Sequence, residues 1–250
     1  MSVNTAELSP AIRDFSTLQP HERLIIALDF PDALQARRAA AAVSASAGWL
    51  KVGKQLFTAE GPAIVRELTQ AGHNVFLDQK FHDIPATVAG AVKAAAALGV
   101  GIITVHASGG SAMLRAAVQA AHETEAPPII VAITVLTSQT DAELQETGVA
   151  GRVVDHALRL ASLARAAGCD GVVASAKEAP EIRRELGTGF AIITPGVRPA
   201  GAAHHDQARV VTPAEAIQAG ATHIVVGRPI IDAPDPAAAA KAILEEIRRA

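Results

Sequence analysis

From Leu24 to the C-terminus the chain alternates between two hydrophobic rhythms. Short, nearly unbroken runs of Ile, Val and Leu give way to longer Ala-rich stretches in which apolar positions recur at helical spacing. Continuous apolar runs suit strands buried on both faces of a parallel sheet, and their alternation with helices is the βα pattern. Eight such units can be read. The pattern predicts strands over residues 24–28, 49–52, 75–77, 101–105, 128–134, 171–174, 191–194 and 222–226. The clearest helices are predicted over 33–45, 84–98, 110–122, 152–167 and 236–249, segments rich in good helix formers. Gly72, Gly99, Gly168 and Gly220 each stand just past a helical run, where a left-handed C-cap favours glycine. Eight units favour a closed barrel over an open doubly wound sheet, so the expected fold is α/β, a single (β/α)8 TIM barrel spanning residues 21–250. Residues 1–20 read as an N-terminal extension, either loose or forming a short capping helix.

In such a barrel the C-terminal ends of the strands and the loops after them line one mouth, and that mouth holds the chemistry. The strand ends offer Asp29, Lys51, Asp78, Lys80, His106, Thr137, Arg198 and Arg228. Any one of these could be a solvated loop residue. As a set they are harder to dismiss, because closure brings the ends of the first three strands side by side and crowds Asp29, Lys51, Asp78 and Lys80 together with alternating sign. Strand period two puts Asp78 and Lys80 on one face. Carboxylates beside a lysine favour its ammonium form over the neutral amine, which suits the group to act as an acid. Pro85 stands where a helix can start without losing a hydrogen bond. After the seventh and eighth strands come Pro195-Gly196-Val197-Arg198-Pro199 and Gly227-Arg228-Pro229, where barrel enzymes often bind phosphate. Gly227 permits close backbone approach, and the planar fork of Arg228 matches phosphate oxygens.

Composition narrows the class. Half of the 250 residues are hydrophobic and the net charge is −3, so nothing favours a nucleic-acid or membrane partner. Cys169 is the lone cysteine, which excludes an internal disulfide or a zinc cluster and fits a reducing, cytoplasmic setting. The first 20 residues carry Glu7, Arg13 and Asp14 and lack the apolar core of a signal peptide. No apolar run reaches the roughly 18 residues of a membrane span. Adjacent His204 and His205 lack a carboxylate or cysteine pattern to make a metal site, and His106 reads as a satisfied polar group rather than a base.

These motifs resemble the orotidine 5'-phosphate decarboxylase family over most of the chain, from about Leu24 to the C-terminus. The resemblance is carried by Leu28-Asp29, Lys51-Val52-Gly53-Lys54, Asp78-Gln79-Lys80-Phe81-His82-Asp83-Ile84-Pro85, Val135-Leu136-Thr137-Ser138, the Arg198 segment, Asp206-Gln207 and Val226-Gly227-Arg228-Pro229-Ile230. It implies a decarboxylase that acts on a small nucleotide without metal or organic cofactor. It further implies that Asp29 and Lys51 hold the ribose, and that Lys51, Asp78, Lys80 and Asp83 form a charged network with Lys80 as proton donor. Thr137 then lies beside the pyrimidine, while Arg198, Gln207, Gly227 and Arg228 hold the phosphate. Asp83 and Thr87 are implied to reach across from a second copy in a homodimer with shared sites. Whether Ser138 or Thr140 reaches the base stays open. The loop 198–209, with Gly201, Ala202 and Ala203, is expected to be a mobile lid. Two alternatives remain: a metal-using relative acting on a keto sugar phosphate, and a silent phosphate-ligand-binding or assembly protein on the same barrel.

Overall fold

The computed structural model describes residues 15–199 and 211–250. Its strands are β1 (Leu24–Ala27), β2 (Trp49–Gly53), β3 (Val75–Phe81), β4 (Ile102–His106), β5 (Ile129–Ile133), β6 (Gly171–Val173), β7 (Ala191–Thr194) and β8 (His223–Val226). Each lies parallel to the next in chain order, and β8 closes on β1 to form the expected barrel. Around it run α1 (Ala33–Val43), α2 (Lys54–Glu60), α3 (Pro62–Gln70), α4 (Pro85–Ala96), α5 (Gly110–His122), α6 (Asp141–Glu146), α7 (Val153–Ala166), α8 (Ala179–Leu186), α9 (Pro213–Gln218), α10 (Arg228–Ile231) and α11 (Pro236–Arg248).

Local chemistry sets many of these boundaries. Asp32 and Asp235 accept the Gln35 and Ala238 N–H groups at the starts of α1 and α11. Reciprocal capping boxes, Thr140 with Glu143 and Thr212 with Glu215, begin α6 and α9. The four predicted C-cap glycines all adopt positive φ, between 79° and 104°. The largest departure from the predicted boundaries is β3, which continues beyond Leu77 to Phe81. Its last residues are polar, so hydrophobic pattern alone ends the strand too early.

Strand alternation divides the core in two. Ile25, Phe76, Ile102, Val131, Ile193 and Val225 fill the barrel interior, while a larger cluster including Leu24, Ile26, Leu77 and Ile103 packs between sheet and helices. Burial on both faces explains the unbroken apolar strands. At the N-terminal end, Phe15 is 5% exposed and its ring meets the buried His223 ring edge-on at 6.0 Å. Phe15 and Leu18, assigned from sequence to the extension, thus pack against the inner core and plug the bottom of the barrel.

Candidate active site

The interior period that points Phe76, Trp49 and Ile102 inward carries on, two residues later, to Asp78, Lys51 and Thr104. The apolar filling therefore ends in a polar layer at the C-terminal mouth. Asp78 lies at its centre and is 9% exposed, with Lys51 at 8% and Thr104 wholly buried. The Lys80 ammonium sits 2.7 Å from both Asp78 oxygens. Lys51 Nζ is 3.6 Å from Asp78 Oδ2 and 3.0 Å from Asp29 Oδ1, so the chain of charges runs Lys80, Asp78, Lys51, Asp29. Burial alone would raise the Asp78 carboxyl. The Lys51 and Lys80 ammoniums, with hydrogen bonds from Lys80 and Thr104, outweigh it and hold Asp78 below the ordinary carboxylate value. Pairing thus offsets the cost of burying the Asp78 carboxylate.

Asp78 and Lys80 do not meet by simple alternation, as the strand period suggested. The β3–β4 register shifts between the pairs Leu77↔Ile103 and Phe81↔Val105, and Lys80 has φ +55°, the one positive value for a non-glycine among the described residues. This bulge turns Lys80 back onto its neighbour two positions earlier. A left-handed β-carbon costs about 1–2 kcal/mol, so the surrounding contacts must hold it there.

A cavity of about 450 Å³ opens beside the network, and its lining includes Asp29, Lys51, Asp78, Arg198, Gly227 and Arg228. The segments carrying Arg198 and Arg228 follow β7 and β8 and line the cavity. Arg198 is buried, and its N–H donates to the Val211 carbonyl at 3.0 Å, tying together the described ends of the loop. Gly227 accepts from the Ile230 and Ile231 N–H groups, which fixes the turn that presents Arg228. The described lining joins a charged end to a cationic end, an arrangement suited to a substrate with a reacting group and a remote phosphate.

Lys80 is not itself part of this lining but meets it through Asp78, and the other expected residues also stand apart from it. Asp83 and Thr87 are exposed at the start of α4, and Asp83 Oδ1 accepts the Ile84 N–H at 2.6 Å. Thr137 is exposed in the turn after β5. The Thr140 hydroxyl is engaged with Glu143 in the α6 cap, whereas Ser138 lies in the turn itself. His106 is partly buried, pairs through Nδ1 with Ser108 Oγ at 3.1 Å and stacks on His82 at 5.3 Å. Burial, then the nearby His82, Lys80 and Lys54, lowers its pKa, in keeping with a neutral, satisfied ring. Gln207, Asp206, His204, His205 and most of the expected lid fall outside the described residues.

Sequence reasoning missed three contributors. Gln55, in the first turn of α2, lines the cavity. Gly53 was noted as part of a motif without a role. A β-carbon there would stand 2.8 Å from Lys51 Nζ and 3.0 Å from Asp29 Oδ1, so glycine leaves room for that ion pair. Thr104 bonds both ends of the Asp78–Lys80 bulge, and nothing in the local sequence around it signals this.

Known proteins share this architecture and sequence. The model of the orotidine 5'-phosphate decarboxylase / HUMPS family matches residues 22–243. An orotidine 5'-phosphate decarboxylase of Alkalilimnicola ehrlichii is 54% identical over 227 residues, covering 91% of this chain and 97% of the relative. That of Sodalis glossinidius is 52% identical over 237 residues, covering 93% and 94%. The crystal structure of the Lactobacillus acidophilus orotidine 5'-phosphate decarboxylase superposes with a TM-score of 0.80 at 37% identity, over 90% of this chain and 98% of that one. With the family model spanning nearly the whole barrel, the chain belongs to the orotidine 5'-phosphate decarboxylase / HUMPS family.

Proposed function

We propose that this chain decarboxylates orotidine 5'-monophosphate to uridine 5'-monophosphate and CO2, the step that completes a pyrimidine nucleotide, without metal or organic cofactor. The observation that carries the reading is the Lys80 ammonium held 2.7 Å from the buried Asp78 carboxylate, which shares one cavity lining with Arg198 and Arg228. Relatives named for this activity at 54% and 52% identity support it.

The C6–carboxylate bond breaks with its electron pair left on C6, in the plane of the ring, where no adjacent π-acceptor can take it. Stabilisation must therefore be electrostatic, and for so slow an uncatalysed reaction the demand is on the order of 20 kcal/mol. A single hydrogen bond does not supply that. Lys80 provides a fixed positive charge at C6 and then the proton, while Asp78 faces the departing carboxylate and fixes the ammonium. Asp29 and Lys51 hold the ribose. Arg198, Gln207, Gly227 and Arg228 take the phosphate, whose binding energy helps close the site around the reacting carbon. Thr137 and Ser138 meet the pyrimidine, since the Thr140 hydroxyl is committed to its helix cap.

The reading extends to a cytoplasmic homodimer with shared sites. Asp83 is exposed at the start of α4, where its carboxylate accepts the Ile84 N–H, leaving the residue on the surface that a second copy could meet. Asp83 and Thr87 then complete the partner's site. Lys80→Ala and Asp83→Ala homodimers are each expected to be nearly inactive. In a statistical mixture about half the dimers pair the two variants, and each such dimer keeps one intact site, so about one quarter of wild-type activity returns. A demonstrated heterodimer no more active than either parent rejects the shared site.

The direct test follows the loss of orotidine 5'-monophosphate absorbance in the presence of EDTA. Turnover is expected to be unaffected by the chelator. No loss of the nucleotide, together with a divalent-metal-dependent activity on a keto sugar phosphate, would move the chain to another branch of its superfamily.

A further inference from the structure

Two residue pairs bracket the β3 bulge, Leu77↔Ile103 and Phe81↔Val105. Between them β3 passes through Asp78, Gln79 and Lys80, while β4 passes through Thr104 alone, so three residues face one. Such a mismatch interrupts the ladder and leaves backbone groups in need of other partners. The Lys80 N–H finds the Thr104 hydroxyl oxygen at 2.8 Å, and the same oxygen lies 3.1 Å from Asp78 Oδ1. The roles are fixed by chemistry: a peptide N–H only donates and an ionised carboxylate only accepts, so the hydroxyl accepts from Lys80 and gives its proton to Asp78. Thr104 is fully buried and sits within the β4–β5 ladder opposite Val131. Its branched β-carbon limits rotation about χ1, so the oxygen has little freedom to follow a moving partner.

We propose that Thr104 is a positioning residue for the decarboxylation, its hydroxyl clamping the bulge so that the Lys80 ammonium and the Asp78 carboxylate meet in one fixed arrangement. The inference rests on the reading of Lys80 and Asp78 as the groups that face the reacting carbon. Lys80 holds the strained backbone that aims its side chain, and the clamp acts on its own N–H rather than on the flexible end. A valine at position 104 fills nearly the same volume but offers neither lone pair nor proton. The Lys80 N–H and Asp78 would each lose a partner, and the bulge could relax toward ordinary strand geometry. An error of about 1 Å at the reacting groups can cost about a hundredfold in rate. The phosphate loops follow β7 and β8, across the cavity from the bulge, so substrate affinity is spared.

Thr104→Val is expected to lower kcat roughly thirty- to a hundredfold while KM changes less than about threefold. Thr104→Ser, which keeps the hydroxyl, should return kcat to within about threefold of wild type, and Thr104→Ala should resemble the valine variant. The acid limb of kcat should also move to higher pH in Thr104→Val. Lys51 on β2 and Lys80 on β3 still face Asp78 there, but the Thr104 hydrogen bond that helps offset its burial is gone. If Thr104→Val does not fold, the serine and alanine variants still differ by one hydroxyl. A serine-to-alanine ratio of kcat above about ten supports the clamp, and equal values overturn it. A valine variant with wild-type kcat, beside an inactive Lys80→Ala, overturns the clamp and leaves the role of Lys80 standing. Retention of more than a tenth of turnover by Lys80→Ala overturns the underlying reading instead.

Discussion

The two mouths of the barrel bury ionisable groups in opposite ways. At the C-terminal mouth Asp78, Lys51 and Lys80 each have an oppositely charged partner within 3.6 Å, and the two ammoniums hold the Asp78 carboxyl below its ordinary value despite burial. At the N-terminal mouth His223 is fully enclosed beside Phe15, bonded through Nδ1 to the Thr222 hydroxyl at 2.9 Å, and burial, then the charge of Arg23, pushes its pKa down to about 3. One end therefore holds a preorganised field and the other a neutral plug. The upper mouth also carries the strained Lys80 and a glycine that clears room for an ion pair, features that add nothing evident to stability. A barrel can thus assign chemistry to one end and fold stability to the other.

The sharpest way to break this division is to remove the upper cation. Lys80→Ala is expected to lower kcat by more than about a thousandfold, because in the proposed mechanism it deletes both the charge at C6 and the proton donor, with the fold intact by circular dichroism. A variant keeping a tenth of turnover would break the assignment of chemistry to this mouth. Arg228→Ala should act at the remote end of the same cavity, weakening kcat/KM by about 2–3 kcal/mol with a loss in saturated turnover as well. Orotidine without its phosphate should then be a poor substrate for the wild type. Equal reactivity of nucleoside and nucleotide would remove the phosphate role of the upper loops.

The lower mouth should answer in stability instead. His223→Ala is expected to cost about 2–4 kcal/mol of unfolding free energy at pH 7, from the cavity and the lost hydrogen bond, with kcat unchanged. Its pH response gives a finer comparison. The folded value of about 3 lies below the usual histidine value, so the unfolded chain binds the extra proton first as pH falls. The stabilisation is fully present above about pH 6.5 and declines toward pH 3, by about 1.4 kcal/mol per unit. Asp78 is depressed as well, but a carboxylate contributes above its unfolded value of about 3.9 and loses that contribution only at lower pH. Denaturant titrations between pH 6.5 and 4.5 should therefore show a steep loss in wild type and a shallower one in His223→Ala. His106 and His156, displaced in the same direction, contribute to the remaining slope, joined near pH 4.5 by the depressed carboxyls of Glu67, Glu123, Glu143 and Glu215. Equal slopes would mean that His223 is not the neutral plug.

The sequence by itself determined the eight-unit alternation, the glycine caps, and the set of charged residues gathered at one mouth. Each depends on hydrophobic rhythm or on residues within about four positions, together with the order in which the strands close. The family resemblance likewise rested on contiguous motifs such as Asp78 through Pro85. Only the tertiary structure decided how Asp78 and Lys80 meet, since the bulge is a disagreement in length between β3 and β4. The Thr104 hydroxyl that spans it comes from 24 residues beyond Lys80. His223 and Phe15 are farther apart still in the chain, and neither period nor composition reveals that one seals the other from solvent. Local patterns choose the elements, whereas register and burial depend on what a neighbouring strand or a distant segment brings against them, because hydrogen bonds and desolvation act through space rather than along the chain.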